Sequence, residues 1–170
     1  MPNQMKEAKP RTAKDGTVPV GADALVGVFQ TLADQHDAVA KLFAQVMESP
    51  DSRAMLWPQI RRELVSHEHS EVRELYPVLR QLEETRALAD HHDEEARQLD
   101  AMIAHLDTLD IQSAMWLEQF EQLVETVTHH AKKEEEAKIF PVAQRALGEA
   151  RAIELDAKVA AAKQQLGESN

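Results

Sequence analysis

Residues 65–79 read VSHEHSEVRELYPVL, and residues 128–143 read THHAKKEEEAKIFPVA. In both stretches the apolar residues have helical spacing, yet histidines and carboxylates stand among them, and an aromatic residue followed by proline closes the pattern. A charged carboxylate that is buried without a partner costs several kcal/mol, so such groups need compensation on a core-facing helix. The repeated pattern therefore predicts two helices that bring imidazole and carboxylate groups into one core.

The composition favours helices and excludes several classes of function. Among 170 residues there are only five glycines, and Ala, Leu, Glu, Gln and Arg are plentiful, which predicts an all-α protein. A formal net charge of −11 argues against nucleic-acid binding, because such a surface repels phosphates. The absence of cysteine excludes disulfides, cysteine-ligated zinc and iron–sulfur clusters. No stretch resembles a signal peptide or a membrane span, so we expect a cytoplasmic protein with no membrane partner.

The apolar periodicity predicts an up-down-up-down four-helix bundle at residues 21–148. A tail at residues 1–20, rich in Lys, Pro, Thr and Gly, is expected to be disordered. Residues 149–170 are predicted to form an extra C-terminal helix that lies outside the core. Pro58 suits the first turn of the second helix, and Gly148 is expected to cap or bend the end of the fourth. The four predicted bundle helices cover approximately residues 23–47, 57–80, 84–106 and 111–147.

Each predicted bundle helix carries one histidine on its apolar stripe. A rise of ~1.5 Å per residue places these histidines at a similar level of the bundle. A lone histidine on an apolar face is usually a core residue, but four of them with carboxylates nearby favour a metal site. Zinc is satisfied by four ligands, and magnesium and calcium prefer oxygen, so a pair of iron ions fits best. The four histidines are His36, His67, His92 and His130.

Four segments together resemble the hemerythrin-like HHE cation-binding domain family. They are HDAVAKLF (36–43), HEHSEVRELYP (67–77), HHDEEARQL (91–99) and HHAKKEEEAKIFP (129–141). The resemblance extends from about Leu25 to Ala146, and it implies a four-helix bundle that holds a non-haem di-iron centre with two iron ions. The metal ligands that it implies are His36, His67, Glu71, His92, His130 and Glu135.

The third helix leaves two questions open. His92 is preferred to His91 because it shares a helical face with Leu88, Ala96 and Leu99. Hemerythrins have a second histidine one turn earlier on this helix, where this chain has Leu88. Water, an open position for an external ligand, or the nearby carboxylate of Glu68 is expected to fill the missing place.

The fourth helix offers two carboxylates as ligands. When residues 65–79 and 128–143 are aligned on their LYPV and IFPV segments, Glu71 pairs with Glu135, which is therefore preferred. The alternative is Glu134, which lies on the helical stripe of His130. The resulting spacing of four and then five residues between histidine and glutamate is similar to that of hemerythrins. Tyr76 is weighed as a source of a phenol oxygen, with packing at a helix end preferred. The histidines that fall off the apolar stripes and are expected at the surface are His69, His105 and His129.

A di-iron site with an open position suits a protein that binds or senses O2 or another small diatomic or peroxide ligand, or that handles iron under oxidative stress. One alternative is a di-iron enzyme that detoxifies peroxide or nitric oxide. Another is a metal-free helical interaction protein. A metal- and O2-binding protein is preferred to a dedicated enzyme, and the sequence leaves open the number of irons and the oligomeric state.

Overall fold

The structure is a computed structural model that describes residues 24–169 of the chain. The described residues form helices and no strand, which confirms the predicted all-α fold class. The predicted tail at residues 1–20 lies outside the described residues. Within residues 24–169, no helix combines the length and the apolar character that crossing a membrane requires. The helices are α1 Val28–Glu48, α2 Arg53–Ser70, α3 Tyr76–Leu79, α4 Glu83–Ala89, α5 His92–Asp107, α6 Ala114–His129, α7 Phe140–Leu147 and α8 Glu149–Glu168, with a 3-10 turn Pro50–Ser52 and two π-helical segments, π1 Glu71–Leu75 and π2 His130–Ile139.

Four long helical runs form the bundle. The first run is α1, the second is α2 continued by π1 and α3, the third is α4 with α5, and the fourth is α6 continued by π2 and α7. Consecutive runs are joined by a few residues each, as in an up-down-up-down bundle. The fourth run begins with an N-cap, since the hydroxyl of Ser113 accepts the N–H of Trp116 at 3.0 Å.

Two apolar clusters fill the bundle, and polar groups lie between them. Phe29 and Phe140 belong to the first cluster, with ring centroids 5.3 Å apart. Trp57 and Trp116 belong to the second, with ring centroids 5.7 Å apart. On every run, the histidine of the apolar stripe stands between a segment of one cluster and a segment of the other. The fold thus places these histidines at mid-bundle.

The C-terminal helix α8 is part of the core, so the prediction that it lies outside the core is wrong. It packs along α1 and α2 and buries a stripe of small and medium side chains. Gly27 sits under this helix with φ +56°, and a Cβ there would lie 2.5 Å from the carbonyl carbon of Ala152, so the close approach requires glycine. Alanine contributes little to apolar periodicity, which is why the stripe was missed. The buried residues of α8 are Ala152, Leu155, Val159 and Ala162.

Two helix boundaries differ from the predicted ones. The second run begins at Arg53, so Pro58 lies inside α2 rather than in its first turn. The predicted third helix is divided after Ala89 into α4 and α5. The break changes the helical register, so that Leu88, expected on the face of His92, is instead 38% exposed.

The prolines that follow the aromatic residues of the two quoted stretches do not end their helical runs. Pro77 and Pro141 each stand at the start of a further α-helix, directly after a π segment. The N–H of the residue before each proline bonds to a carbonyl five residues back, that of Glu71 or Glu135. A residue without an N–H is tolerated where the hydrogen-bond ladder changes from π to α. The fourth run ends only at Gly148, whose φ of 79° turns the chain into α8.

Candidate metal centre

Seven polar side chains from all four helical runs meet between the two apolar clusters, and we call them the histidine–carboxylate layer. They are His36 on α1, His67 and Glu68 on α2, Glu71 on π1, His92 on α5, and His130 and Glu135 on π2. Five are buried, and the side chains of the other two, His36 and His130, are only 6% and 17% exposed. The layer contains all six residues that the family resemblance implies as ligands, and Glu68 in addition. Their role as metal ligands stays a prediction.

His36, His67 and Glu135 form the first group of donor atoms. The Nε2 atoms of the two imidazoles lie 3.1 Å apart, and Glu135 Oε2 lies 3.2 Å from His36 Nε2. Behind the rings, His36 Nδ1–H donates to Glu136 Oε1 and His67 Nδ1–H donates to Gln35 Oε1, both at 2.8 Å. These outer bonds aim both Nε2 atoms at one point, which must hold a proton or a cation. The separation of 3.1 Å between the two Nε2 atoms is close to the ~3.0 Å expected for two ligands at right angles, each ~2.1 Å from one ion.

Glu68, His92 and His130 form the second group. Glu68 Oε1 lies 3.2 Å from His92 Nε2, and Glu68 Oε2 lies 4.0 Å from His130 Nε2. The ring of Tyr76 stacks on the His92 imidazole with centroids 3.3 Å apart, and Glu95 Oε2 lies 3.3 Å from His130 Nδ1. Glu68, one of the three ways in which the missing histidine of the third helix was expected to be replaced, thus lies beside both imidazoles of this group; its role as a ligand stays a prediction.

Two carboxylates connect the two groups: Glu71, which belongs to neither, and Glu135, which belongs to the first. Glu135 Oε2 faces His36, while its Oε1 lies 3.7 Å from His92 Nε2. Glu71 Oε2 lies 3.4 Å from His67 Nε2 and 3.8 Å from His92 Nε2. Each carboxylate therefore contacts imidazoles of both groups, and this is the position from which a carboxylate can bridge two cations.

The crowding of charges shifts the pKa values of the layer. Burial and the negative charge of Glu135 raise the pKa of Glu71 to about 7. Burial alone would lower the pKa of His92 and of His130, but Glu135 and the other carboxylates outweigh it and raise these pKa values to about 10 and about 12. Burial lowers the pKa of His67 well below its usual value, so that imidazole is neutral. A cation that binds here must displace protons from His92 and His130.

Eight buried polar atoms of the layer have no hydrogen-bond partner in the described part of the chain. Several of these atoms lie within 4 Å of an oppositely charged group, but none forms a hydrogen bond, and a buried polar group without one costs ~1–3 kcal/mol. Imidazole nitrogens and carboxylate oxygens are a donor set that iron and manganese accept, so these residues fit bound metal cations. The atoms are Glu68 Oε1, both carboxylate oxygens of Glu71, both ring nitrogens of His92 and of His130, and Glu135 Oε2.

The π2 segment accounts for the spacing of five residues on the fourth run. Its backbone bonds connect residues five apart, so His130 and Glu135 come to the same face. Glu134, the alternative carboxylate, instead accepts from Lys138 Nζ at 2.8 Å on the outer side. The irregular spacing in the sequence was the signal for this segment.

Tyr76 packs in the first apolar cluster, in agreement with the preferred packing role, and its hydroxyl in addition points into the layer. The side chain is fully buried, and its OH donates to Glu135 Oε1 at 2.7 Å. Burial raises the pKa of Tyr76 well above 10, which keeps the phenol a neutral donor. Sequence reasoning placed this residue at the end of a helix, whereas π1 and α3 continue the run and turn it inward.

The remaining histidines lie outside the layer. His91, the alternative to His92, is exposed at the break between α4 and α5. His69 is half exposed and lies 2.9 Å from a carboxylate oxygen of Asp100. His105 and His129 are exposed, in agreement with their position off the apolar stripes.

A cavity of about 160 Å³ adjoins the layer. Four residues of the layer form its polar floor, namely His36, His67, Glu68 and His130. Most of its remaining surface is apolar and comes from α1, α2, α5 and α6, with Val39, Phe43, Leu64, Leu99 and Val127 as the principal apolar side chains. Polar residues such as Gln35, Gln98 and Lys132 also line it. The cavity therefore provides space at the side of the layer that faces the second apolar cluster.

Comparison with protein families gives one match. The family model described as hemerythrin HHE cation binding domain matches residues 28–143, more than half of the chain. The match covers the first three helical runs, the fourth as far as residue 143 in α7, and every residue of the layer, and it excludes α8. No curated protein and no solved structure matches the chain in the same kind of comparison.

Proposed function

The chain belongs to the hemerythrin HHE cation-binding domain family, and from this membership we propose that it is a cytoplasmic di-iron protein. In this proposal the histidine–carboxylate layer holds two iron ions. The protein binds or senses O2 or another small diatomic or peroxide ligand, or handles iron under oxidative stress. The family and the clustered donor atoms support the proposal.

The division of the Glu135 carboxylate between the two groups is the observation that carries the proposal. One oxygen faces His36 and the other faces His92 and His130, at distances between 3.2 and 3.7 Å. A single cation needs only one group, so a second group on the other oxygen favours two cations. Glu71, which also contacts imidazoles of both groups, supports the same arrangement.

The residues divide between the two ions by their group. His36 and His67 would hold one iron, and Glu68, His92 and His130 would hold the other. The carboxylates of Glu71 and Glu135 would be shared between them, a use of glutamate that is frequent in di-iron bundles.

Iron, when bound, supplies an open coordination position and redox chemistry for a small ligand. The chain supplies the orientation of the donors. Glu136 and Gln35 fix the tautomers of His36 and His67, and the Tyr76 hydroxyl holds Glu135 in place. The apolar walls of the cavity limit the access of water to the layer.

Anaerobic titration with ferrous iron, followed by admission of air, tests the proposal. We expect saturable uptake and a charge-transfer absorption band after exposure to air. Glu135→Ala should abolish the band, whereas Glu134→Ala, at the neighbouring position outside the layer, should retain it. A chain that stays colourless and retains no iron would contradict the proposal.

A further inference from the structure

We infer that the cavity beside the layer is a binding site for a small apolar organic molecule of about benzene size, carrying at most one polar group. The cavity is formed by side chains that are present whether or not metal is bound. The inference depends on the proposed function only for the chemistry of its floor.

The size of the cavity exceeds what a diatomic ligand requires. A water molecule takes a share of ~30 Å³ in the liquid, and a diatomic molecule is of similar order. The cavity of about 160 Å³ is several times larger. Dry apolar cavities of ~150 Å³ accept benzene or xenon.

The distribution of polarity defines the class of ligand. Most of the cavity surface is apolar, although Gln35, Gln98 and Thr128 also line it, so the cavity offers few partners for several ordered waters. The floor brings four ionisable side chains together, those of His36, His67, Glu68 and His130. A ligand that fills the walls therefore has an apolar body, and a single polar group would be directed at the layer.

An entrance lies where the cavity is lined by exposed residues. Ala40 on α1 and Thr126 on α6 line the cavity and are exposed to solvent. Ala40 therefore stands at the rim, where a larger side chain would project over the opening without disturbing the buried core. Ala44, one turn later on α1, is also exposed but does not line the cavity, so it provides a matched control.

Methyl NMR on the full-length chain, titrated with benzene and then with phenol, tests the inference. Two forms of the protein are used, one stripped of metal and one loaded with diamagnetic Zn2+. Circular dichroism checks the helix content of every sample. We expect saturable shifts of the Val39, Leu64, Leu99 and Val127 methyl groups. Ala40→Phe should weaken binding roughly tenfold or more, and Ala40→Leu provides a smaller rim variant, whereas Ala44→Phe should bind like the unmodified chain.

Three outcomes would overturn the inference. They are shifts that do not saturate, equal binding of benzene by Ala40→Phe and Ala44→Phe, and uptake of xenon without uptake of benzene. Failure of the iron experiment leaves this result untouched, because the stripped protein is tested. Conversely, a chain that binds two irons but no benzene overturns the organic-ligand site alone.

Discussion

Glu68, if it is a ligand as we propose, is the residue that would most alter the ligand set implied by the family. Its buried carboxylate lies beside two imidazoles, where hemerythrins use a histidine of the third helix. An anionic oxygen donor in place of a neutral nitrogen adds negative charge to the second group. Leu88 is turned outward, so it does not occupy this place.

Glu68→Gln tests this assignment at constant shape. The amide loses one anionic donor atom, so we expect the affinity of one of the two iron sites to fall roughly tenfold or more. The iron content, measured after gel filtration, should fall from two toward one iron per chain. Glu134→Gln serves as the control, because that carboxylate pairs with Lys138 outside the layer. Equal iron contents in the two variants would show that Glu68 is not a ligand.

Tyr76→Phe removes the hydrogen bond to Glu135 without changing the packing of the ring. We expect the free energy of unfolding of the metal-free protein to fall by ~1–3 kcal/mol, because the acceptor remains buried. Urea denaturation measures this loss. In a Glu135→Ala background the same substitution should cost much less, since the partner is already gone. The same loss in both backgrounds would mean that Tyr76 acts through packing alone.

At the scale of the elements, the helical period of apolar residues was enough to predict the four runs and the level of the histidines. It was not enough to predict π1 and π2, because the 3.6-residue period assigns faces on the assumption of a regular α-helix. Glu135 was found through the proline-anchored alignment, a feature that survives a change of period. The break after Ala89 has no comparable signal, so Leu88 was assigned to the wrong face.

The role of α8 was missed for a different reason. Its buried face is made of alanines and two larger aliphatic residues, a pattern that also suits a solvated helix. What fixes it against α1 is the close approach at Gly27, and no sequence period reports such a contact. Lys163 adds an ion pair to Glu63 of α2 at 2.8 Å.

Val159→Asp tests whether α8 belongs to the core. The side chain is almost fully buried in the first apolar cluster, so an unpaired carboxylate there should cost on the order of 3 kcal/mol or more. The melting temperature should fall sharply. Ala160→Asp, on the exposed side of the same helix, should change it little. Similar melting temperatures for the two variants would contradict the packing of α8.

At the scale of the whole molecule, the layer connects all four runs and separates the two apolar clusters. Without metal, protons on His92 and His130 balance the buried carboxylates. In the proposed metal-bound form, cations would take over this role and displace the protons. Stability, pH and metal content are therefore linked.

The metal-free protein should lose stability as the pH rises from 5.5 to 8.5. The raised pKa of Glu71, about 7, means that its contribution is complete below the unfolded value near 4.5 and lost as the pH rises through 7. The contributions of His92 and His130 are complete below about 6.5 and decline toward about 10 and about 12. In the presence of a chelator, the melting temperature should fall by ~5 °C or more between pH 5.5 and pH 8.5. Glu71→Gln should make this decrease smaller. A flat or rising profile would contradict the charge balance in the layer.

The measurement that tests the di-iron layer most directly is the iron content per chain after anaerobic reconstitution and removal of unbound metal. Elemental analysis against protein concentration should give two irons per chain, and substitution of His36 or His130 by alanine should lower the value. The exposed His105, replaced by alanine, should leave it at two. A value of one or none in the unmodified chain would contradict the arrangement of two groups around Glu71 and Glu135.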